Sequence, residues 1–513
     1  MSTHRLLVRG RVPLVRRRRT PLRVGLAALV GAALWLGVSC ASPRSSFPTG
    51  DLAPERPPNI LLFLVDDLGW KDGSVLGSRF LETPRLDRMA SEGTRFLQAY
   101  SNGPNCAPSR ASLLSGLYTP RHGVLTVGNP ARGNKAYRRL VPSENRRDLD
   151  LSFDTIPEIL AGAGYRSAIV GKYHVGEDPR EQGFEVAIAA NRRGSPPGGH
   201  FSPYKNPDLA DGPDGESLTD RLTQEAASFI RESGQQPWFL LMSHYAVHTP
   251  IQAEPTRSAR FRAKLDEDLG PGPHNPKYGA MVERTDQSLG ALLDLLADLD
   301  LEDETLVVFL SDNGGHGPTT SMDPLQGSKG MLFEGGIRVP MVVCWPGRVP
   351  AGRQVETPVI GCDLLGTFAA FAGVEAPSTD GVDLSALMLG QVDELDRESL
   401  FWHFPAYLEA YRRGGRPFRT RPAGAIRHGN YKLIEWFEDG SVSLFDLSED
   451  PGETVDLSQR RPETVARLRQ ELTDWRAQVG AGVPDERNPD YDAAADAAVR
   501  RRLAIPDRHD KRN

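Results

Sequence analysis

The sequence predicts an α/β fold, in which a large, mostly parallel sheet is flanked by helices and a smaller C-terminal domain adds an antiparallel sheet and a helix. Two observations predict it. Between Asn59 and Leu389, short apolar runs alternate with helical patterns, which is typical of parallel strands joined by helices. After Leu389, residues 424–436 and 441–447 alternate in polarity like antiparallel strands, and residues 462–479 have helical periodicity.

Five apolar runs in the first part are too short for helices and are expected to be strands buried on both faces. Polar residues of the types found in catalytic and metal sites follow directly after four of them. The runs are Ile60–Val65, Ser167–Val170, Trp238–Met242, Leu306–Leu310 and Met341–Trp345.

Composition excludes several classes of protein. The 513 residues are 39% hydrophobic and 25% charged, and the 51 Gly and 41 Pro follow no fixed period. This balance excludes a coiled coil, a collagen, a solenoid and a wholly disordered chain. The net charge is −6 even though the first forty residues carry eight Arg and no acid, so the remaining chain is more acidic still. An acidic body is not expected to bind nucleic acid.

The first forty residues are predicted to be an export signal, because an Arg-rich start precedes an apolar stretch too short for a typical membrane span. Arg18-Arg19 resembles a twin-arginine signal, and Leu36 to Cys40 resembles a lipoprotein box. The expected location is periplasmic, extracellular or, with a lipid anchor at Cys40, the outer membrane. A true membrane helix is the alternative. The predicted regions are 1–40 export signal, 41–57 linker, 58–390 main domain, 391–482 C-terminal subdomain and 483–513 polar tail with little order.

The polar residues after the strands are expected to converge, because open parallel sheets place ligand sites beyond the carboxyl ends of their strands. Carboxylate and amide oxygens there favour Ca²⁺ or Mg²⁺ over zinc. The alternative is that the acids cap helices or bind water. The converging residues are Asp66 and Asp67, Lys172 and His174, His248, and Asp312 and Asn313.

Cys106 precedes a predicted helix, with Pro108 in the first turn where a missing N–H costs nothing. The helix dipole and its free amides favour an anion there, and Arg110 lies one turn further on. Taken alone, a Cys in this position is most often structural. For Cys344 and Cys362 the expectation is buried thiols, with a single bridge as the alternative.

The string Cys106-Ala107-Pro108-Ser109-Arg110 resembles the Cys-x-Pro-Ser-Arg signature of type I sulfatases. The resemblance extends from Asn59 to Leu457 and includes His248-Thr249-Pro250, Lys329 to Gly336 and Tyr431 to Ile434. It implies an alkaline-phosphatase-like fold, a sulfuric ester hydrolase, and oxidation of Cys106 to formylglycine by a formylglycine-generating enzyme.

The resemblance also implies a role for each site residue. The modified Cys106 would attack sulfur as a hydrated aldehyde, and His174 would take a proton from its second hydroxyl so that sulfate is expelled. His248, alone or with Lys329, would protonate the departing alcohol. The implied Ca²⁺ ligands are Asp66, Asp67, Asp312, Asn313 and the modified Cys106, one ion per chain, and the implied sulfate-binding cations are Arg110, Lys172 and Lys329.

Two departures from the family pattern limit what can be transferred. Val247 stands where many relatives have Pro, and Ala406-Tyr407 stands where a His-Tyr pair is common. The nearest alternative is a phosphonate monoester hydrolase or phosphodiesterase of the same superfamily, and a silent glycan-binding protein is a third.

Specificity is expected in loops over the strand ends. Their cations favour a sulfated carbohydrate over a small aryl sulfate, although solvated loops explain any one of them equally well. The candidate loops are Tyr118–Asn145 with Arg121, His122, Arg132 and Lys135, Asn191–Asp214 with His200, and His403–Arg421 with five Arg after Tyr411.

Overall fold

A nine-stranded mixed sheet forms the centre of the main domain in the computed structural model, which describes residues 56–270, 272–411 and 417–504. The predicted export signal, Cys40 and nearly all of the linker lie outside these residues. The strand order is β4-β3-β5-β1-β6-β7-β2-β8, with β9 also beside β2. The strands are β1 Asn59–Val65, β2 Thr94–Tyr100, β3 Arg166–Gly171, β4 Val186–Ile188, β5 Trp238–Ser243, β6 Thr305–Ser311, β7 Arg338–Cys344, β8 Arg353–Val355 and β9 Val359–Ile360.

The sheet is parallel except where β7 lies antiparallel between β6 and β2. All five strands predicted from apolar runs are confirmed. Their continuous hydrophobicity has a simple cause, since alternate side chains of one strand enter two different cores. Ile60, Leu62 and Leu64 belong to one core, whereas Leu61 and Phe63 belong to the other.

Helices cover both faces of this sheet. Helices α2, α4 and α9 contribute to the first core, and α1, α5 and α7 contribute to the second. None of the helices in the described ranges is long and apolar enough to cross a membrane. The helices are α1 Pro84–Glu92, α2 Cys106–Ser115, α3 Thr119–His122, α4 Ile156–Ala161, α5 Leu218–Ser233, α6 Pro255–Ala263, α7 Pro276–Asp298, α8 Glu334–Ile337, α9 Asp363–Ala372, α10 Ser385–Met388, α11 Pro462–Val479 and α12 Ala493–Ala504.

The C-terminal part contains a four-stranded antiparallel sheet in the order β10-β13-β14-β15, with α11 packed on β13 and β14. The helix confirms the predicted 462–479 segment. The predicted strand over 424–436 is two strands, because the chain turns at Gly429, where φ is 54°. The strands are β10 Ser399–Phe404, β11 Leu408–Glu409, β12 Phe418–Thr420, β13 Ala423–His428, β14 Tyr431–Trp436 and β15 Val442–Asp446, with β11 and β12 forming a separate hairpin.

Residues 483–504, the part of the predicted polar tail that the structure describes, have more order than the sequence predicted. Their backbone pairs with the loop before α4, through a bridge between Leu140 and Arg487. Asp496 in α12 accepts a hydrogen bond from Tyr491 at 2.9 Å and pairs with Arg139 at 3.5 Å. The order comes from these polar tertiary contacts, which leave no periodic apolar signal in the sequence.

A buried charged cluster joins the two sheets. Lys432 on β14 lies 2.9 Å from Glu334 of α8 and 2.9 Å from Glu453, and all three side chains are fully enclosed. Burial raises the pKa of Glu453 to about 7, against the opposing charge of Lys432. Burial also acts to raise the pKa of Glu334, but Lys432 and Arg338 outweigh it and the pKa is lowered. One lysine is therefore shared between two carboxyl groups.

The cysteines of the described chain are unpaired. Cys106, Cys344 and Cys362 are all buried free thiols, which confirms the expectation for the last two.

Candidate active site

The carboxyl ends of β3, β5, β1 and β6 lie side by side at one edge of the main sheet. Leu64 pairs with Ser243, and Val65 pairs with Ser311, so the segments that follow these strands emerge next to one another. The convergence predicted from the sequence is therefore what the register produces. The polar residues that it brings together are Asp66, Asp67, Lys172, His174, His248, Asp312 and Asn313.

Three carboxylates and one amide form the floor of the site. The backbone N–H of Asp67 donates to Asp312 Oδ1 at 3.2 Å, and Asn313 Nδ2 donates to Asp67 Oδ1 at 2.9 Å. Asn313 Oδ1 is buried and has no hydrogen-bond partner within the described ranges. Asp66 completes the group, and each of these four side chains is almost completely enclosed.

This donor set fits a hard divalent cation such as Ca²⁺. Carboxylate and amide oxygens are the ligands that Ca²⁺ prefers in proteins. The Oδ1 atom of Asn313 accepts no hydrogen bond from the described residues, so its lone pairs are available to a cation. Potential ligand atoms of Asp66, Asp67, Cys106 and His248 lie within 4.8 Å of one another, so the geometry adds His248 to the neighbours of such an ion.

Cys106 begins helix α2, as the sequence predicted, and its Sγ lies 3.5 Å from Asp66 Oδ1. The side chain is 1% exposed. Burial raises the pKa of the thiol to about 12, although Lys172 and Lys329 act to lower it. The unmodified thiol therefore stays protonated at neutral pH and is a poor nucleophile.

Three cations pair with the three carboxylates. Lys172 Nζ donates to Asp66 Oδ2 at 2.7 Å, and Arg110 Nε donates to Asp312 Oδ2 at 2.8 Å. Lys329 Nζ lies 2.6 Å from Asp67 Oδ1 and donates to Cys106 Sγ at 3.2 Å. Burial acts to raise the pKa of Asp67, but Lys329 and the other cations outweigh it and the pKa is lowered. The site thus holds a nearly balanced set of opposite charges.

An open cavity of about 390 Å³ lies above this floor, a volume within the usual range of small-molecule sites. Arg110 and Lys172 do not line it, because their salt bridges hold them beneath, so the structure does not show the direct sulfate contact expected for these two. The lining residues are Asp67, Asn105, Cys106, Val127, Arg132, His174, Gly194, Ser195, His248, Thr249, His316, Lys329 and Arg419.

Both histidines from the sequence analysis line the cavity in neutral form. His248 Nδ1 lies 2.7 Å from the carbonyl oxygen of Thr249, so it carries the proton and Nε2 is left to accept. Burial lowers the pKa of His248 to about 4, with Asp67 opposing the shift. Burial and nearby cations lower the pKa of His174 even further. Its ring packs on Gly194, where a Cβ would lie 2.4 Å from Cε1.

Sequence reasoning missed His316 and Asn105. His316 follows Asp312-Asn313 by three residues, a spacing that could have identified it, and its ring contacts Tyr411 at 5.0 Å. Of the loop cations named individually, only Arg132 lines the cavity, and among the arginines after Tyr411 that the structure describes, Arg419 does so. The others are bound elsewhere: Arg121 to Asp380, His122 to Ser112, Lys135 to Asp490 and His200 to the carbonyl oxygen of His248.

The sulfatase family model matches residues 58–374, which is more than half of the chain and includes every site residue named above except Arg419 and Tyr411. The chain belongs to the sulfatase family. A second model, for the C-terminal part of N-sulphoglucosamine sulphohydrolase, matches residues 327–478. As a type I sulfatase of the alkaline phosphatase superfamily, the protein is a sulfuric ester hydrolase.

Two relatives and one solved structure show the range of similar sulfatases. N-acetylgalactosamine-6-sulfatase of Canis lupus familiaris is 36% identical over 84% of this chain and 81% of its own length. Steryl-sulfatase of Mus musculus is 30% identical over 87% and 84%. The crystal structure of Ps i-CgsB in complex with k-i-k-neocarrahexaose is 26% identical, with a TM-score of 0.67 over 88% of this chain and 98% of that one.

The sulfatase departs from the family pattern at Ala406, and the tyrosine that follows it, Tyr407, is held within the protein. The Tyr407 hydroxyl donates to Glu438 at 2.9 Å and accepts from the backbone N–H of Leu140 at 3.0 Å. Ala406 and Tyr407 are fully buried, so neither offers the substrate contact that a histidine at the first position would give.

Proposed function

We propose that this sulfatase removes sulfate from a sulfated carbohydrate, using formylglycine formed from Cys106 and one bound Ca²⁺. The observation that carries the proposal is the position of Cys106, at the start of α2, at the floor of the cavity and among three carboxylates and Lys329. A thiol whose pKa is raised to about 12 gives no nucleophile there. Oxidation to an aldehyde gives a hydrate with two hydroxyl groups, one to attack sulfur and a second from which a proton can be removed so that sulfate is expelled.

The residues that would hold Ca²⁺ are Asp66, Asp67, Asp312 and Asn313, together with the oxygen of the modified Cys106. Bound there, the ion would supply positive charge for a sulfate oxygen and for the nucleophile. The unpartnered Asn313 Oδ1 and the facing carboxylates support this assignment.

Lys329 is the cation best placed to meet the substrate, since it lines the cavity and already contacts Cys106 Sγ at 3.2 Å. It would neutralise negative charge on the sulfate as the ester bond breaks. Arg110 and Lys172 would act from beneath, by holding Asp312 and Asp66 in place and adding positive charge to the floor.

The two neutral histidines suit proton transfer. His174 would take a proton from the group at position 106, because its ring is neutral and lines the cavity beside Cys106. His248 would act together with Lys329 to protonate the departing alcohol. Because His248 is neutral and its Nε2 is unprotonated, the proton itself would come from Lys329, which is charged and lies beside His248 on the same carboxylate, Asp67.

A carbohydrate substrate is supported by the polar lining of the cavity and by relatives named for sulfated sugars. Export, a formylglycine-generating enzyme as maturation partner and a lipid anchor at Cys40 belong to the same proposal. They rest on the sequence of residues 1–40 and on the Cys106 motif.

The test compares release of inorganic sulfate and inorganic phosphate from paired aryl esters and from N-acetylgalactosamine 6-sulfate. The protein is coexpressed with a formylglycine-generating enzyme, and the aldehyde is verified by mass spectrometry. We expect sulfate release that requires Ca²⁺ and is lost in Cys106→Ala. Dominant phosphate release would replace the proposal with a phosphonate monoester hydrolase or phosphodiesterase. Silence toward every ester, with the aldehyde in place, would favour a glycan-binding protein.

A further inference from the structure

Two arginines on the cavity wall have no assigned role. Arg132 comes from the loop after α3, and Arg419 comes from β12. The Nε atom of each is buried and lacks a hydrogen-bond partner in the part of the chain that the structure describes. Buried donors are normally satisfied, so an unsatisfied Nε on each of two arginines that line the same cavity points to a ligand for these side chains.

Backbone contacts fix the loop that carries Arg132. The N–H of Tyr407 donates to the carbonyl oxygen of Pro130 at 2.8 Å, and Ala131 pairs with Tyr407 in a parallel bridge. Arg138 Nη1 donates to the carbonyl oxygens of Ala131 and Gly133 at 2.7 and 2.8 Å. The loop is therefore held over the site on both sides of Arg132, which limits the entropy lost when a ligand binds.

Arg419 is also fixed in position, next to the segment that carries Lys329. Its guanidinium carbon lies 4.6 Å from the centre of the Tyr411 ring, and the Tyr411 hydroxyl donates to the carbonyl oxygen of Lys329 at 3.0 Å. A Cβ on Gly330 would lie only 2.9 Å from Arg419 Nε. Arg419 thus packs directly on the segment that presents Lys329 to the cavity.

The positive charge of this pair is only partly balanced. Glu409 is the nearest carboxylate to Arg132, but its Oε2 lies 3.7 Å from Arg132 Nε, too far for a hydrogen bond, and its side chain is 52% exposed. Arg419 forms no ion pair with any residue that the structure describes. Among the described residues, one half-exposed carboxylate next to Arg132 is therefore the only ion-pair partner of the two arginines.

We infer that Arg132 and Arg419 form a second anion subsite, which binds a negative group of the substrate other than the sulfate that is removed. The inference rests on the proposed function, because it concerns the other end of the molecule whose sulfate lies over Cys106. Planar guanidinium groups match the two oxygens of a sulfate or a carboxylate. The substrate class is therefore a saccharide with two anionic groups, the second being a sulfate ester or a uronate.

The kinetic test uses three substrates: an N-acetylhexosamine 6-sulfate, its 4,6-disulfate, and the 6-sulfated sugar linked to a uronic acid. We expect at least one two-anion substrate to have a higher kcat/KM than the monosulfate. Arg132→Met and Arg419→Met keep much of the side-chain volume and should each lower that kcat/KM by about 10- to 100-fold. The monosulfate should change by less than about threefold. The preferred substrate identifies the second anion as sulfate or carboxylate.

Two further variants test the direction of the charge effect on kcat/KM and provide a control outside the cavity. Glu409→Gln removes the competing carboxylate and should raise kcat/KM for the preferred substrate by up to about fivefold. Arg88→Ala removes a guanidinium from α1, where it binds Glu92 and lines no part of the cavity, and should change nothing. Equal losses for all three substrates in the Arg132 and Arg419 variants, or no preference for two anions in the wild type, would overturn the inference.

A binding measurement separates the inference from the proposed function. Cys106→Ala cannot form the aldehyde, so the same three saccharides can be titrated into it by calorimetry without turnover. Adding Arg132→Met or Arg419→Met should weaken binding of the preferred saccharide by about 10- to 100-fold. If the aldehyde-bearing protein releases no sulfate, the proposed function fails and this titration alone decides the subsite. Equal affinity with and without the two arginines would refute it.

Discussion

At the scale of single residues, the ionised side chains around Cys106 are paired with one another. Lys172 binds Asp66, Lys329 binds Asp67, and Arg110 binds Asp312. Removing one member of a buried pair costs about 3–5 kcal/mol, because its partner is left as an uncompensated charge. Substitutions meant to test chemistry at this site should therefore be chosen among uncharged residues or among those outside the pairs.

Cys106→Ser tests the role of the residue at the start of α2 directly. A serine hydroxyl there can accept a sulfate group, but it has no second hydroxyl from which His174 could remove a proton. We expect a sulfated protein that accumulates to one sulfate per chain and turns over at most once, detected by intact mass. The matched control is Cys362→Ser, which replaces another buried thiol and should leave no sulfate on the protein. Steady multiple turnover by Cys106→Ser would contradict the assignment.

Calcium should stabilise the folded protein, because the proposed site consists of carboxylates that come together only in the fold. At a free concentration about 100-fold above Kd, one site adds about 2.7 kcal/mol to the free energy of unfolding. Thermal unfolding with EDTA and with added CaCl₂ at matched ionic strength measures the shift. Asn313→Ala leaves no buried charge unpaired and should shrink the shift. An unchanged shift in this variant would argue against Asn313 as a ligand.

At the scale of secondary structure elements, α2 carries Cys106 at one end and a tightly packed glycine at the other. Gly116 ends the helix with φ at 69°, and its N–H donates to the carbonyl oxygen of Ser112. A Cβ at Gly116 would lie 2.7 Å from Thr379 Cγ2 and 3.2 Å from Leu365 Cβ. The position of the nucleophile thus depends on packing ten residues away.

Gly116→Ala and Gly373→Ala form a matched pair of substitutions. Both glycines end a helix with φ near 70°, but no heavy atom lies within 4 Å of a Cβ at Gly373. Each alanine pays about 1–2 kcal/mol for the left-handed backbone, and Gly116→Ala adds a steric conflict. We expect denaturant midpoints in the order wild type, Gly373→Ala, Gly116→Ala. Equal midpoints for the two variants would show that the contacts at Gly116 relax without cost.

The strands that the sequence predicted are those that are buried on both faces, such as β1, whose seven residues are all enclosed. The sequence analysis did not predict β2. Its side chains are a mixture of buried and half-buried ones, and its partner strand β7 lies far along the chain. The same limit applies at the site. The ends of predicted strands identified Asp66 and Asp312. Arg132 and Arg419 could not be identified in this way, because tertiary contacts such as the bridge between Ala131 and Tyr407 bring them to the cavity.

At the scale of the whole molecule, the cluster of Lys432, Glu334 and Glu453 links the two sheets electrostatically. Glu334 begins the helix that follows the Lys329 segment, and Lys432 belongs to the C-terminal sheet. Because a single lysine serves two buried carboxyl groups, the stability of this junction depends on the protonation of Glu453.

The pH dependence of stability follows from the pKa of Glu453, which burial raises to about 7 from an ordinary 4.5. A raised folded-state pKa stabilises the protein fully below pH 4.5, and this contribution is lost as the pH rises through 7. Glu453→Gln should remove this decline, so unfolding temperatures at pH 5 and pH 8 should differ less than in the wild type. Glu394→Gln, at an exposed site, should behave as the wild type. The same difference in both variants would exclude Glu453 as the cause.

The enclosure of Cys106 also sets an order of events for the proposed oxidation of its thiol. Cys106 is 1% exposed, and its backbone forms the first turn of a buried helix. In the folded protein, a second enzyme therefore cannot bind this segment in its own active site. Any catalyst that oxidises the thiol must meet the chain while residues 105–110 are still extended. The supply of unfolded precursor, before the sheet closes over α2, would then limit how much of the protein matures.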